Sequence, residues 1–232
     1  MTAFVGMGAN LGDTLSTIEA CLYVLDDVDG IVVDDVSGIY ETAPWGGTDN
    51  DGAERFVEQP PFLNAVVRLR TTMSPHALLN ELLVTEAAFG RDRATETRWG
   101  PRVLDLDLLL HGDAVVDDPP RLMVPHPRMT QRAFVLIPLM EVFAGGALPD
   151  GRRVAQVLAP MAPLTGIELF VRLRDVPGAH GYERPEGPRA PAAVQGPQWA
   201  ASRPNPSLDP SASPSSSSSS DSDSGVRPGS EL

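Results

Sequence analysis

The residue types best suited to chemistry lie close together in the middle of the chain. Arg98–Leu110 reads Arg-Trp-Gly-Pro-Arg-Val-Leu-Asp-Leu-Asp-Leu-Leu-Leu. In a strand, Asp105 and Asp107 would project from one face, about 6–7 Å apart, and Leu104, Leu106 and Leu108 would point the other way, into a core. Two carboxylates on an apolar strand are costly without a cation. Mg²⁺ suits them, because it takes one or two carboxylates and leaves its other positions for phosphates and water. An edge strand with two solvated acids is the alternative at this point.

The basic residues next to this strand indicate how phosphates would be held. The chain contains no lysine, so all 18 of its basic residues are arginines, and four of them (Arg91, Arg93, Arg98 and Arg102) lie within twelve residues. A Walker A loop requires a lysine and is excluded. Any phosphate must therefore be bound by arginine, which contacts it through paired hydrogen bonds.

Composition limits the class of protein. The chain has 232 residues and a net charge of −13, which disfavours general binding to nucleic acid, because phosphate backbones need a basic surface. The single Cys21 excludes an internal disulfide and suits a reducing compartment. We find no signal peptide at the N-terminus and no apolar run of about 20 residues that would span a membrane. A cytoplasmic protein with no membrane partner is expected.

The remaining elements can be placed by periodicity and by capping residues. Asp13 and Ser74-Pro75 are helix starts. Two long irregular segments are expected, 42–61 between two strands and 91–103 between a helix and a strand. Asn64 lies on the polar side of its strand and, taken alone, is expected to be solvated. The predicted elements are strands at 2–9, 31–41, 62–72, 104–110 and 167–173, and helices at 14–27, 75–89, 128–143 and 154–159.

This order predicts an α+β fold with a βαββαβ core, the ferredoxin-like plait, carrying long catalytic loops. A change in composition ends the domain at residue 174. Residues 175–232 contain ten prolines and thirteen serines, and such a segment cannot bury enough apolar area to offset its ordering entropy. We therefore predict one domain at 1–174 and a disordered tail at 175–232.

Several stretches, taken together, carry a resemblance to a known family. They are Gly8–Asp13, Tyr40–Pro44, Phe62–Ala65, Glu86 with Phe89–Arg91, Arg98–Asp107 and Val124–Met129. Over residues 3–160 the sequence resembles 6-hydroxymethyl-7,8-dihydropterin pyrophosphokinase of folate biosynthesis. The family transfers pyrophosphate from ATP to the hydroxymethyl group of the pterin and releases AMP. Three departures are Ala43 in place of a common proline, a longer loop at 46–61, and the Ser/Pro tail.

The resemblance implies a role for each matching residue. Asp105 and Asp107 would hold two Mg²⁺ ions, and with Arg91 and Arg102 they form the implied catalytic set. The implied ATP contacts are Glu86, Arg91, Trp99, Arg102, His126 and Arg132. The implied pterin contacts are Thr42, Pro44, Trp45, Phe62, Asn64 and Phe134, with the two phenylalanines stacking on the ring. Small-molecule substrates and a monomeric enzyme are expected.

Other interpretations of these residues stay open. Phe62 and Phe134, taken singly, are typical core residues; Trp99 could anchor a surface; and His126 between prolines could be structural. A non-catalytic module that binds pterin or nucleotide is a second candidate, although such a module has no need for both aspartates. A ferredoxin-like RNA-binding domain is disfavoured by charge and by the lack of an aromatic motif on a central strand.

Overall fold

The computed structural model describes residues 1–44, 47–48, 54–55, 58–94 and 100–173. The predictions for Trp45, Arg98, Trp99 and the tail at 175–232 lie outside these residues. The strands are β1 (Thr2–Ala9), β2 (Ile31–Val36), β3 (Ile39–Thr42), β4 (Gly47–Thr48), β5 (Glu54–Arg55), β6 (Phe62–Thr71), β7 (Asp105–His111), β8 (Val116–Asp118), β9 (Leu122–Val124) and β10 (Ile167–Val171). The α-helices are α1 (Thr14–Asp26), α2 (Pro75–Ala88), α3 (Ala133–Val142) and α4 (Val154–Leu158).

The main sheet is antiparallel. Its described strands run in the order β10-β3-β6-β1-β7, and β2 pairs with the far end of β6. β1 and β6 therefore form the centre, where both faces are covered. The chain is thus a mixed α/β domain built on an antiparallel sheet.

Capping residues start the first two helices as predicted. The Asp13 carboxylate accepts a hydrogen bond from the Ser16 N–H at 3.1 Å, and the Ser74 hydroxyl accepts from the Ala77 N–H at 3.3 Å. Each cap satisfies a backbone donor that has no partner within its helix. No helix in the described part of the chain has both the length and the apolar character to cross a bilayer.

Two cores lie on opposite faces of the sheet. On one face, α1 and α2 pack their apolar side chains against the sheet, with Leu22 and Leu82 fully buried. On the other, α3 and α4 cover Phe4, Val66 and Leu109. Because both faces are covered, residues on the two sides of β6 are buried, including Asn64. The expectation that Asn64 would be solvated is wrong for this reason.

The predicted strand at 31–41 is interrupted, which is a second difference from the sequence expectation. β2 ends at Val36 and β3 begins at Ile39. Between them the Ser37 hydroxyl accepts from the Val66 N–H at 2.9 Å and donates to the Gly38 carbonyl at 2.7 Å. The side chain replaces a sheet hydrogen bond and lets the chain change direction. β3 then reaches the end of β6 where Asn64 lies.

Candidate active site

An open cleft of about 770 Å³ lies between the sheet and the N-terminal end of α3. Strands β1, β6 and β7 form its floor, and Gly6 and Gly8 keep that floor low because they have no side chain. A Cβ added at Gly8 would lie 3.1 Å from Asn64 Oδ1. The polar groups that line the cleft are Thr42, Asn64, Arg102, Asp105, Asp107 and Arg132.

Asp105 and Asp107 project into this cleft from one face of β7. Leu104, Leu106 and Leu108 are buried on the opposite face, as the alternation predicts. The side chains of Asp105 and Asp107 are 22% and 34% exposed. The two carboxylates are therefore reachable from the cleft while their strand is anchored in the core.

Two arginines occupy the oxygens of Asp105. The Nη1 atom of Arg91 donates to Oδ1 at 2.5 Å, and the Nη1 atom of Arg102 donates to Oδ2 at 2.8 Å. Burial by itself would raise the pKa of Asp105, but the charges and hydrogen bonds of Arg102 and Arg91 outweigh it and hold the pKa below its ordinary value. Asp105 is therefore ionised at neutral pH.

Asp107 faces a second basic pair. Arg132 Nη1 lies 3.4 Å from its Oδ2, and His126 Nε2 lies 3.9 Å from the same atom. Burial lowers the pKa of His126, and the neighbouring positive charges of Arg132 and Arg128 lower it further, whereas Asp107 opposes them. His126 is thus neutral at pH 7, and its Nδ1 lies 3.3 Å from the Arg128 N–H that donates to it.

Glu86 lies behind Asp105 and does not line the cleft. Its side chain is 1% exposed. One oxygen accepts from Arg91 at 2.5 Å and from the Leu106 N–H at 2.7 Å, and the other accepts from Arg93 at 2.5 Å. Burial raises the pKa of Glu86, against the effect of these three donors. Because Leu106 separates the two aspartates, Glu86 fixes the backbone between them and also holds Arg91, whose side chain is 3% exposed.

The opposite end of the cleft has a different character. Asn64 Nδ2 donates to Thr42 Oγ1 at 2.7 Å. The carbonyl oxygen of the same side chain, Oδ1, faces Gly8. Phe62 and Phe134 both line the cleft and are partly exposed, so neither is a closed core residue. The Arg132 guanidinium lies 5.7 Å from the centre of the Phe134 ring. Such a surface suits a flat heterocycle with polar edges.

The remaining predicted site residues fall in two groups. Pro44 lines an adjoining cleft that shares Thr42, Arg132 and Phe134 with the main one. Trp45 and Trp99 lie outside the described residues. The structure therefore brings Asp105, Asp107, Arg102, Arg132, Thr42, Asn64, Phe62 and Phe134 to one cleft, with Arg91, Glu86 and His126 beside or beneath the aspartates.

Asn10 is a residue that the sequence analysis did not assign to the site. It is 3% exposed. Its Nδ2 donates to Gln59 Oε1 and to the Pro60 carbonyl, both at 3.0 Å, and its Oδ1 accepts from the Arg102 N–H at 2.7 Å. Asn10 thereby joins Gln59 and Pro60, just before β6, to Arg102, just before β7. The sequence feature that could have indicated this role is the position of Asn10, a polar residue directly after the buried strand β1.

Asp105 and Asp107 are the candidate ligands for a divalent cation. The described residues hold no group of three or more histidine, cysteine, aspartate or glutamate side chains that could bind a metal on their own. Two carboxylates on one strand face, open to a cleft, are nevertheless what Mg²⁺ uses when phosphate oxygens and water supply its other ligands. Asp105 and Asp107 therefore fit Mg²⁺ bound together with a phosphate compound.

The chain is an antiparallel α/β domain whose cleft has carboxylates and arginines at one end and two aromatic rings at the other, and comparison with known proteins identifies its family. The family described as 7,8-dihydro-6-hydroxymethylpterin-pyrophosphokinase (HPPK) matches residues 4–144. The chain belongs to this family, whose members are ATP-dependent diphosphokinases, a type of transferase.

Individual relatives agree with this assignment. A 2-amino-4-hydroxy-6-hydroxymethyldihydropteridine pyrophosphokinase of Methylorubrum extorquens is 42% identical over 166 residues, covering 72% of this chain and 96% of the relative. The Pseudomonas aeruginosa enzyme of the same name is 40% identical and covers 71% of this chain and 94% of its own. A folate synthesis bifunctional protein of Arabidopsis thaliana is 36% identical over 65% of this chain but only 29% of its own length.

Solved structures agree in fold alone. A Plasmodium falciparum HPPK-DHPS variant with pteroate has a TM-score of 0.50 and 12% identity, covering 69% of this chain. This chain spans 40% of the length of that protein.

Proposed function

We propose that this chain transfers the pyrophosphoryl group of ATP to the hydroxymethyl oxygen of 6-hydroxymethyl-7,8-dihydropterin, with Mg²⁺, in folate biosynthesis. One observation carries the proposal. Asp105 and Asp107 share a single cleft with the Asn64–Thr42 pair and the rings of Phe62 and Phe134. A phosphate-and-metal end and a flat, aromatic end within one cleft are what a two-substrate pyrophosphokinase requires.

In this proposal the pterin lies at the aromatic end. Asn64 and Thr42 would bind its polar edge, while Phe62 and Phe134 contact its faces. Residues 44 and 45 (Pro44 and Trp45) would extend that edge. Because the Asn64 side chain is buried and already fixed by Thr42, little conformational entropy is lost when it binds the ligand.

ATP would lie over the aspartates. Arg102, His126 and Arg132 are the proposed phosphate contacts, with Trp99 as a closing residue of the loop at 91–103. Two Mg²⁺ ions held by Asp105 and Asp107 would neutralise the phosphates and lower the pKa of the attacking hydroxyl. The hydroxymethyl oxygen would bond to the β-phosphorus and its proton would pass to water, while the bond from that phosphorus to the α,β-bridging oxygen breaks and AMP leaves with that oxygen.

Glu86 and Arg91 support this chemistry from below. Arg91 is too deeply buried to reach the cleft in the present arrangement, so we propose that it acts by holding Asp105 in place. Glu86 fixes both Arg91 and the Leu106 N–H. Catalysis of this kind depends mainly on position and charge, which makes such fixed carboxylates and cations valuable.

The order of strands around β6 and β1 also supports assignment of residues 1–174 to the ferredoxin-like plait, with α3 and α4 added on the second face. The tail at 175–232 is proposed to take no part in catalysis.

The experiment is an assay for AMP formed from ATP, with the pterin and Mg²⁺ added separately and together. AMP should appear only when both are present. ATP turnover that is equally fast without the pterin would contradict the proposal.

A further inference from the structure

Glu141, which lies far along α3 from the cleft, joins three separate parts of the chain. Its carboxylate accepts from the Gly38 N–H at 2.9 Å and from Arg172 Nη1 and Nη2 at 2.6 and 3.1 Å, and it also accepts from the Tyr40 hydroxyl. Its side chain is 24% exposed. One carboxylate therefore connects α3, the start of β3, and the residue directly after β10.

The junction around Glu141 is closely packed. A Cβ added at Gly38 would lie 2.6 Å from Leu169 Cδ1 and 3.5 Å from Arg172 Nη1. Gly38 lies where the chain turns between β2 and β3, so its N–H points to Glu141 and not along the sheet. On the other side, Leu169 belongs to β10, the strand that pairs with β3, and Arg172 directly follows that strand. The close approach shows that these contacts fix the position of β3 on two sides.

The same elements carry the two walls of the proposed pterin site. β3 carries Tyr40 near its start and Thr42 at its end, and the Thr42 hydroxyl accepts from Asn64 Nδ2 at 2.7 Å. α3 runs back from Glu141 to Phe134, seven residues or about 10 Å along a helix. The first residue of β10, Ile167, pairs with Thr42. The distance between Thr42 and Phe134 is therefore set by elements that meet at Glu141.

We propose that Glu141 is a positioning residue for the pterin-binding end of the cleft, acting through β3 and α3 on the spacing of Thr42 and Phe134. This inference rests on the proposed function. Glu141 accepts a pair of bonds from Arg172, after β10, and single bonds from Gly38 and Tyr40 at the start of β3. Hydrogen bonds to an ionised carboxylate are strong and directional, so weakening them lets α3, β3 and the end of β10 move relative to one another. A displacement that breaks one hydrogen bond to the pterin weakens its binding about tenfold.

The pKa values support the view that this cluster is a unit. Burial and the hydrogen bond to Glu141 raise the pKa of Tyr40 to about 12. Burial opposes ionisation of Glu141, but Arg172, Tyr40 and Gly38 together hold its pKa below the ordinary value. The carboxylate is thus ionised, and the phenol is protonated, throughout the neutral range.

The test compares Glu141→Gln with a matched control, Asp34→Asn. Asp34 is also a carboxylate that accepts from two arginines, Arg68 at 2.9 Å and Arg70 at 3.1 Å, but it lies on the outer strand β2, and its side chain is 28% exposed. The pterin Kd is measured by calorimetry, and KM for each substrate and kcat by AMP formation. We expect Glu141→Gln to raise the pterin Kd and KM about tenfold, with kcat and the ATP KM within about twofold. Asp34→Asn should leave all four values unchanged.

Two results would overturn the proposal. One is a pterin Kd for Glu141→Gln that equals the Kd of Asp34→Asn. The other is a fall in ATP affinity or kcat by the same factor as pterin affinity, which is the pattern of general disruption.

If Glu141→Gln does not fold, Arg172→Ala replaces it, because it keeps the bonds from Gly38 and Tyr40. A folded Arg172→Ala protein with unchanged pterin Kd would also refute the role.

If the unsubstituted chain binds pterin but makes no AMP, the proposed function fails, and the comparison of Kd values still tests Glu141. If it binds no pterin, both proposals fail.

Discussion

Replacing Glu86 by glutamine distinguishes a structural role for this residue from direct contact with ATP. Glutamine has nearly the same shape and retains one oxygen that can accept from the Leu106 N–H. It removes the charge that faces Arg91 and Arg93, and its amide donors then point at guanidinium donors. Since the Arg91 side chain is 3% exposed, its charge cannot simply be transferred to water.

The size of the effect follows from burial. Removing one partner of a buried ion pair costs about 3–5 kcal/mol. Because Arg91 keeps Asp105 as a second partner, we expect the lower end, about 3 kcal/mol. In a domain of this size, 1 kcal/mol lowers Tm by about 2–4 °C, so Tm should fall by roughly 6–12 °C.

Thermal unfolding followed by circular dichroism measures this change directly. Glu168→Gln is the control, because Glu168 is exposed on β10, and exposed substitutions usually change stability by less than about 0.5 kcal/mol. An ATP contact would instead give a raised ATP KM at unchanged stability. A Tm for Glu86→Gln within about 2 °C of the Tm of the control would refute the structural role.

Four further outcomes are expected. Asp107→Asn should lose more than about 100-fold of the AMP-forming rate, since metal-assisted stabilisation supplies several kcal/mol, while Tm stays within a few degrees; a near-normal rate would contradict the metal assignment. Asn64→Ala should raise the pterin KM about tenfold, the value of one good hydrogen bond, and leave the ATP KM unchanged. An equal rise in both KM values would contradict the proposed contact between Asn64 and the pterin. Folding raises the pKa of Tyr40 from 10.0 to about 12, so the stability that this phenol contributes is complete below pH 10 and is lost as pH rises toward 12. Tyr40→Phe should therefore reduce the fall in Tm at alkaline pH. A fall in Tm as steep as that of the unsubstituted protein would count against the contact between Tyr40 and Glu141. Removing 175–232 should leave Tm and the AMP-forming rate unchanged, and a loss of either would give the tail a role in the domain.

The strand that carries the aspartates could be predicted because its pattern is local. Alternation of leucine and aspartate from Leu104 onward places the acids on one face in any half-buried strand. The caps at Asp13 and Ser74 are local signals as well, and both are confirmed. Such features depend on the properties of a few neighbouring residues, so they can be predicted from the sequence alone.

Features that depend on contacts between distant residues could not be predicted in the same way. At the break between β2 and β3, Ser37 accepts from the Val66 N–H and Gly38 donates to Glu141, about a hundred residues away. Asn64 is buried because α3 covers the second face of β6, which nothing near Asn64 in the sequence indicates.

The burial of Glu86 beside the site also depends on contacts that the local sequence does not indicate. Its spacing within α2 is compatible with an exposed residue, but the helix packs so that this carboxylate meets the N–H of Leu106 on β7. Burial of a charge is tolerated only where partners are ready. Here the partners, Arg91 and Leu106, come from two other segments of the chain.

The most direct test of the proposed function is AMP formation by the purified full-length chain supplied with ATP. Omitting 6-hydroxymethyl-7,8-dihydropterin or Mg²⁺ should abolish AMP, and supplying both should give AMP and the pyrophosphorylated pterin in equal amounts. AMP formed at the same rate without the pterin, or no AMP with both present, would contradict the assignment.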